Sequence, residues 1–215
     1  RIPFNPAAGI PTEPKVQGTR WLDDDEFVQL YRWLECPDTP VHPPYTRAVR
    51  LIMLTGQRVE EIASLHIDQW DAEEKIIDWS KTKNDQPHAV PVPALAAELL
   101  SSINVNEYGW FFPSAKDPSR PVSHGTLYSF MWRQRDRGVI PYVTNRDLRR
   151  TFKTLAGKAG VPKEIRDRLQ NHALQDVSSK HYDRWNYMAE KRAGMARWDK
   201  FVRAMLAKKR LKAVA

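Results

Sequence analysis

The 215 residues carry 34 Lys and Arg against 26 Asp and Glu, a formal charge of +8, and 41% of them are hydrophobic. This length and composition suit one globular domain with a sizeable core. The positive charge predicts an anionic partner, of which nucleic acid is the commonest. The single cysteine, Cys36, excludes an internal disulfide and is interpreted as a small structural residue at a helix end. Because no run of about 18 apolar residues is present, a transmembrane helix is excluded.

The opening residues differ in character from the rest of the chain. Residues 1–20 start without methionine and are rich in proline and glycine, which is typical of an interdomain linker. We therefore expect residues 21–215 to form the domain. Its upstream partner domain or domains are expected to lie outside this chain.

Three consecutive aspartates, residues 23–25, precede the first predicted helix. Asp23 can cap this helix, Glu26 stands three residues later, and Leu22 comes before them, which is the spacing of a capping box. Metal binding is the alternative for such a run. Negative charge at a helix N-terminus accounts for it better.

The remaining pattern predicts more helices and one hairpin. The segments KIIDWS and HAVPVP, residues 75–80 and 88–93, read as antiparallel strands joined by the polar turn 81–87. His66, His88 and His124 show no partner pattern and are interpreted as surface or hairpin residues. Periodicity and Gly or Pro signals predict helices over residues 46–56, 58–66, 93–103, 122–138, 145–160, 162–171 and 187–210. The last helix carries an apolar stripe that predicts core packing: Trp198, Phe201, Val202, Met205 and Leu206. The predicted fold class is mainly α with a small antiparallel β-sheet.

Three arginines stand among apolar neighbours. Arg58 follows LIMLTGQ at a helix junction, and Arg149 and Arg150 interrupt DLRRTF. Guanidinium groups rarely enter such surroundings unless they are paired or hold an oxyanion. Glu61, one turn after Arg58, could pair with it. On spacing alone, a structural ion pair and an oxyanion site both remain open.

Four segments, taken in order, carry a family resemblance. LTGQRVEEIASL, KTKNDQPHAVPV, NRDLRRTF and LQNHALQDVSSKHYDR together resemble the catalytic domain of the tyrosine recombinase, or phage integrase, family. The segments HYDRWNYMAEKR and NPAAGI are similar to integrases of satellite prophages and genomic islands. The resemblance extends from about residue 5 to residue 200 and implies the tyrosine recombinase catalytic-domain fold.

The resemblance also implies a catalytic set. Arg58 matches the family's first catalytic arginine, and Glu61 matches its supporting acid. Arg149 matches the second arginine, His172 in LQNH the third-box histidine, and Tyr182 in KHYDR the nucleophile.

The family's catalytic lysine lies in the hairpin. Counting back from VPV indicates Lys83, and a slip of two residues would select Lys81 instead. Each assignment has a structural alternative. The lysines could be turn charges, Tyr182 could pack against Trp185, and His172 could cap a helix C-terminus.

One position departs from the family pattern. Where the family places histidine, three residues before the second arginine, this chain has Arg146. Arginine can donate to a phosphate oxygen, but its pKa is too high to accept a tyrosine proton at neutral pH. The base could then be water, the phosphate itself, or His181 beside the tyrosine.

The resemblance implies a site-specific recombinase that integrates and excises a mobile element. It would use a covalent 3′-phosphotyrosyl intermediate, require no metal or other cofactor, and act on double-stranded DNA. The full-length protein would be a homotetramer on DNA, in the cytoplasm at the nucleoid and without a membrane partner. Two alternatives remain: a non-catalytic DNA-binding domain of the same fold, which Arg146 favours, and a type IB topoisomerase, which uses the same chemistry to relax supercoils.

Overall fold

The computed structural model describes residues 18–80, 87–172 and 186–212. In these ranges the α-helices are α1 Asp24–Glu35, α2 Pro43–Thr55, α3 Val59–Ala63, α4 Ala94–Ser101, α5 His124–Asp136, α6 Asn145–Lys158, α7 Lys163–Leu169 and α8 Met188–Lys212. The strands β1 Trp70–Asp71, β2 Ile76–Trp79 and β3 His88–Pro91 form one antiparallel sheet in the order β1–β2–β3. The predicted class, mainly helical with a small antiparallel sheet, is confirmed.

Helix α1 starts with the predicted capping box. The Asp23 carboxylate accepts from the main-chain N–H groups of Asp25 and Glu26 at 2.9 and 2.8 Å. In return, the Glu26 carboxylate accepts from the Asp23 N–H at 3.1 Å and pairs with Arg20 at 2.5 Å. Cys36 ends the helix as its C-cap and is exposed. Asp23 therefore serves as the N-cap of α1, and Asp24 pairs with Lys158 of α6.

Gly56 ends α2 in a conformation that suits glycine. Its φ of 67° is left-handed, and its N–H donates to the Ile52 carbonyl at 2.8 Å. A Cβ at this position would lie 2.3 Å from the Phe152 ring of α6. The tight turn therefore needs glycine, and it leads directly into Arg58 and α3, which packs against α2 and α5.

The sheet contains one strand that the sequence pattern does not predict. Strand β1 pairs Trp70 with Ile77 of β2, and β2 in turn pairs Ile77 with Val90 of β3. Two residues are too few to show an alternating pattern, so β1 exists because β2 offers it hydrogen bonds. Residues 81–86 of the predicted turn lie outside the described residues.

Helix α8 crosses the core and contacts α1, α4, α6, α7 and β3. Trp198 is fully buried, packs edge-on against Phe27 and Phe152, and donates its indole N–H to the Leu54 carbonyl at 2.8 Å. The predicted stripe is confirmed: its other members, Phe201, Val202, Met205 and Leu206, are buried or partly buried. None of the helices in the described ranges combines the length and apolar character needed to cross a membrane.

Candidate active site

Arg58 lies at the junction between α2 and α3, where a buried carboxylate orients it. Its guanidinium donates to Glu61 Oε1 at 3.0 Å and to the Asn171 carbonyl at 3.2 Å. The second oxygen of Glu61 accepts from the Arg58 main-chain N–H at 3.3 Å. Because the Glu61 side chain is only 7% exposed, the pair is shielded from water and holds the guanidinium in one orientation.

Arg149 lies in the second turn of α6 and faces the same junction. Its Nη1–H donates to the Gly56 carbonyl at 2.7 Å, and its Nη2–H donates to the Gln170 carbonyl. Within the described ranges, no ion pair to a carboxylate accompanies these bonds. Burial, followed by the positive charge of Arg58, lowers the pKa of Arg149 to about 10, so the group stays charged at neutral pH. Two mutually repelling cations in a poorly solvated place favour the binding of an anion.

The end of α7 supports both arginines through its main chain. Consecutive carbonyls, those of Gln170 and Asn171, accept from Arg149 and Arg58. Asn171 has a φ of 49°, a left-handed conformation that ends the helix and turns the chain toward His172. Helix C-termini attract cations, so the arginines and the helix end stabilise each other.

His172 follows these two carbonyls directly. Its Nδ1 lies 3.1 Å from Asp167 Oδ1 and 3.2 Å from Lys153 Nζ, and Lys153 and Asp167 form an ion pair. Burial and the charges of Arg149 and Lys153 lower the pKa of His172, so the neutral imidazole dominates at pH 7. Among the contacts of the described residues, Nδ1 is occupied, which leaves Nε2 for a ligand.

Arg146 and the two partly buried arginines, Arg58 and Arg149, line one cavity of about 170 Å³ between α3, α5 and α6. Three guanidiniums and the carboxylate of Glu60 surround it, so its lining is cationic. Arg146 is the exposed member. Among the described residues, the lining consists of Arg58, Val59, Glu60, Tyr128, Asn145, Arg146 and Arg149. His172 lies outside this lining, next to the chain segment that contacts Arg58.

Arg150 differs from its neighbour Arg149. Its guanidinium pairs with Asp147 at 2.5 Å on the same helix, and that carboxylate also accepts from the Thr144 cap. From the spacing alone, each arginine of DLRRTF could form a structural ion pair or bind an oxyanion. In the structure, Arg150 forms the ion pair and Arg149 lines the cavity.

A layer of buried amide and imidazole groups lies beneath the arginines. Gln57 donates to the Leu169 carbonyl at 2.8 Å, and Gln170 donates to the Arg149 carbonyl at 2.8 Å. His88 Nε2 lies 3.2 Å from both Gln57 Oε1 and the Leu169 carbonyl. Because both are acceptors, Nε2 must carry the hydrogen. The layer joins β3 to the end of α7.

His88 is thus a hairpin residue, as interpreted from the sequence, but a buried one with defined partners. Burial and the charges of Lys191, Arg149 and Arg58 lower its pKa to about 3. The sequence contained a pattern that indicates the burial of His88. His88 alternates with Val90 and Val92, and all three side chains are buried.

We expect the pH dependence of stability to report the burial of His88. Its pKa is about 3 when folded and 6.5 ordinarily, so between these values the unfolded chain binds the extra proton. The free energy of unfolding should therefore fall as the pH drops through this window, by up to about 1.4 kcal/mol per pH unit from this group. Urea unfolding of His88→Gln between pH 7 and pH 4 should show a shallower decline than that of the wild type.

The exposed histidine His124 provides the control for this measurement. His124→Gln should keep the wild-type pH slope. Equal slopes for the wild type and His88→Gln would contradict a neutral, buried His88.

Four residues of the predicted catalytic and supporting set have no described position. Lys83 and its alternative Lys81, together with His181 and the predicted nucleophile Tyr182, lie outside the described residues. Their roles remain predictions. The structure brings together the rest of the set, namely Arg58, Glu61, Arg146, Arg149 and His172, around the junction of α2 and α3 with α6 and α7.

The arrangement has the features of a helical domain that binds a phosphate group, because fixed N–H donors of two arginines face one cavity. The chain belongs to the phage integrase family, whose model matches residues 20–187. It is 28% identical over 166 residues to prophage integrase IntF of Escherichia coli (strain K12), a match that covers 73% of this chain and 34% of that protein. The chain spans about a third of the length of the curated relatives it matches.

Solved structures share the fold. The integrase from mycobacterium phage Brujita superposes with a TM-score of 0.67 at 18% identity, covering 93% of this chain and 67% of that one. The structure of a lambda integrase tetramer bound to a Holliday junction gives a TM-score of 0.57 at 19% identity, covering 74% and 48%. At these identities the likeness shows the tyrosine recombinase catalytic-domain fold.

Proposed function

We propose that this chain is the catalytic part of a site-specific DNA recombinase that integrates and excises a mobile element. One observation carries the proposal: Arg58 and Arg149 line the same cationic cavity, in a chain that belongs to the phage integrase family. The formal charge of +8 supports double-stranded DNA as the substrate. The lambda integrase tetramer on a Holliday junction supports a tetramer of the full-length protein on DNA.

The proposed reaction is a phosphoryl transfer to tyrosine. The Tyr182 oxygen attacks the phosphorus and forms a 3′-phosphotyrosyl bond, while the bond from phosphorus to the 5′ oxygen breaks. Lys83 protonates that leaving oxygen. Arg58, Arg149 and His172 donate to the non-bridging oxygens, where negative charge develops. A 5′ hydroxyl from another duplex reverses the step and completes the exchange without metal or ATP.

The tyrosine proton needs an acceptor other than Arg146. Tyrosine has an ordinary pKa of about 10, and cationic neighbours favour its phenolate. The guanidinium of Arg146 has donors and no acceptor, so it donates to the phosphate and leaves the tyrosine proton to water, to His181 or to the phosphate.

A second function is favoured by the same Arg146. Without the family's histidine, the chain could bind DNA through its cationic face and leave strands uncut. This alternative predicts DNA binding without any covalent product, whereas the recombinase predicts both.

Tyr182→Phe should abolish covalent capture of DNA and leave DNA affinity within about twofold, because only the attacking oxygen is removed. The measurement uses nicked duplexes with a randomised core, in which loss of a short strand past the nick traps the adduct. Protein joined to DNA is then detected on a denaturing gel, and affinity is measured by fluorescence anisotropy.

The half-exposed Tyr108 is the matched control, and Tyr108→Phe should form adduct at the wild-type rate. An adduct that persists in Tyr182→Phe would assign the nucleophile elsewhere. DNA binding by the wild type without any adduct would favour the non-catalytic alternative. Relaxation of plasmids that lack an attachment site would favour the topoisomerase.

A further inference from the structure

Asn145 is a buried side chain without hydrogen-bond partners in the described part of the chain. It is the first residue of α6, is 2% exposed, and neither its Oδ1 nor its Nδ2 makes a hydrogen bond there. The buried amides Gln57 and Gln170 are both satisfied. Asn145 is therefore an exception among the amides around this site.

An exception of this kind needs a physical reason. Leaving a buried donor or acceptor unpaired costs about 1–3 kcal/mol, so an apolar side chain of similar size would stabilise the free protein better. Capping does not explain Asn145, because Thr144 and Asp147 cap α6 between them. A partner that arrives with a ligand is a recognised explanation for such a group, and the location of Asn145 favours it.

The position of Asn145 indicates which ligand. Asn145 lines the same cavity as Arg58 and Arg149. The cavity, about 170 Å³, has the volume of roughly five water molecules and can admit a phosphate group. The first turn of a helix also favours an anion, because its N–H groups and dipole point that way. The charge of the arginines, the size of the cavity and the N-terminal end of the helix all favour a phosphate group as the ligand.

We propose that Asn145 contacts the reacting phosphate directly, its Nδ2–H donating to a non-bridging oxygen beside the two arginines. The inference rests on the proposed function and assigns one more group to that site. Asn145 is also the neighbour of Arg146, which stands where the resemblance places a histidine. The amide offers a donor for the phosphate and an acceptor for an incoming hydroxyl, whereas a guanidinium can only donate.

The test measures phosphate binding without requiring strand cleavage. Inorganic phosphate is titrated into the ¹⁵N-labelled chain, and the Asn145 side-chain NH₂ signal is followed by NMR. We expect this signal to shift along the same saturation curve as the Arg149 guanidinium signals. Asn145→Leu, which keeps the size but removes both polar atoms, should weaken phosphate binding about tenfold or more, as expected for one hydrogen bond to a charged group.

The stability of Asn145→Leu separates substrate contact from a structural role. Under the proposal, the variant unfolds at a temperature equal to or above that of the wild type while it loses phosphate affinity. Asn145→Asp, which puts a negative charge at the same place, should weaken binding further. The exposed amide Asn104, which lies outside the cavity lining, provides matched controls, since Asn104→Leu and Asn104→Asp should keep wild-type phosphate affinity.

Each outcome decides the inference. An unmoved Asn145 signal at phosphate saturation, or wild-type affinity in Asn145→Leu, overturns it. If Asn145→Leu fails to fold, the NMR titration of the wild type and the affinity of Asn145→Asp decide. Failure of the proposed function looks different, because the wild type would then form no Tyr182 adduct although its phosphate titration still moves the Asn145 signal.

Discussion

Arg149→Lys is expected to slow covalent capture of nicked DNA by roughly 100- to 1000-fold, the loss that follows removal of one preorganised oxyanion donor. The physical reason is the geometry of the side chain. Of the five N–H donors of the Arg149 guanidinium, two are used on the Gly56 and Gln170 carbonyls, and the residue lines the cavity with donors to spare. A lysine keeps the charge but has neither the planar fork nor enough donors for all of these contacts.

The neighbouring residue on the helix provides the control. Arg150 pairs with Asp147 and does not line the cavity within the described residues, so Arg150→Lys should change the rate by less than about threefold. Rates are measured as single-turnover adduct formation at saturating protein, which separates chemistry from DNA binding. Equal rates for Arg149→Lys and the wild type would remove Arg149 from the proposed catalytic set.

Trp198→Ala should lower the free energy of unfolding by about 3–5 kcal/mol. Trp198 is fully buried between Phe27 and Phe152, so its removal leaves a large cavity. It also removes the N–H that satisfies the Leu54 carbonyl. Such a loss is a large part of the roughly 5–15 kcal/mol that stabilises a typical domain.

Urea unfolding followed by circular dichroism measures this loss. Trp132, whose residue is 54% exposed on α5, is the matched control, and Trp132→Ala should change stability by less than about 1 kcal/mol. If both variants lost the same stability, helix α8 would not be anchored through Trp198. Because α8 follows the segment that carries Tyr182, we also expect Trp198→Ala to reduce adduct formation.

The features predicted correctly from the sequence are local ones. The capping box joins Asp23 to Glu26, three positions later, and the stop at Gly56 depends on the backbone freedom of one residue. The apolar stripe of the last helix repeats with the helical period. In each case the interacting groups are neighbours along the chain, so their spacing carries the information.

The residues of the candidate site were predicted from the family resemblance and not from local spacing. Spacing alone allowed two roles for Arg58 and Arg149, a structural ion pair or an oxyanion site. The ordered motifs of the phage integrase family favoured the oxyanion site. The carbonyls that hold Arg149 belong to Gly56 and Gln170, residues 93 and 21 positions away. No local pattern connects such positions.

The sequence by itself determined the helical class, the capped start of α1, the stop of α2 at Gly56, the core stripe and, through its ordered motifs, the family. Only the tertiary structure decided that β1 exists, that Gln57 and the Leu169 carbonyl are the partners of His88, and that Asn145 lies unpartnered beside two arginines in the described chain. The physical reason is the range of the interactions. Helix caps and periodic stripes are formed within a few residues, whereas burial and cavities are formed by segments that meet only when the chain folds.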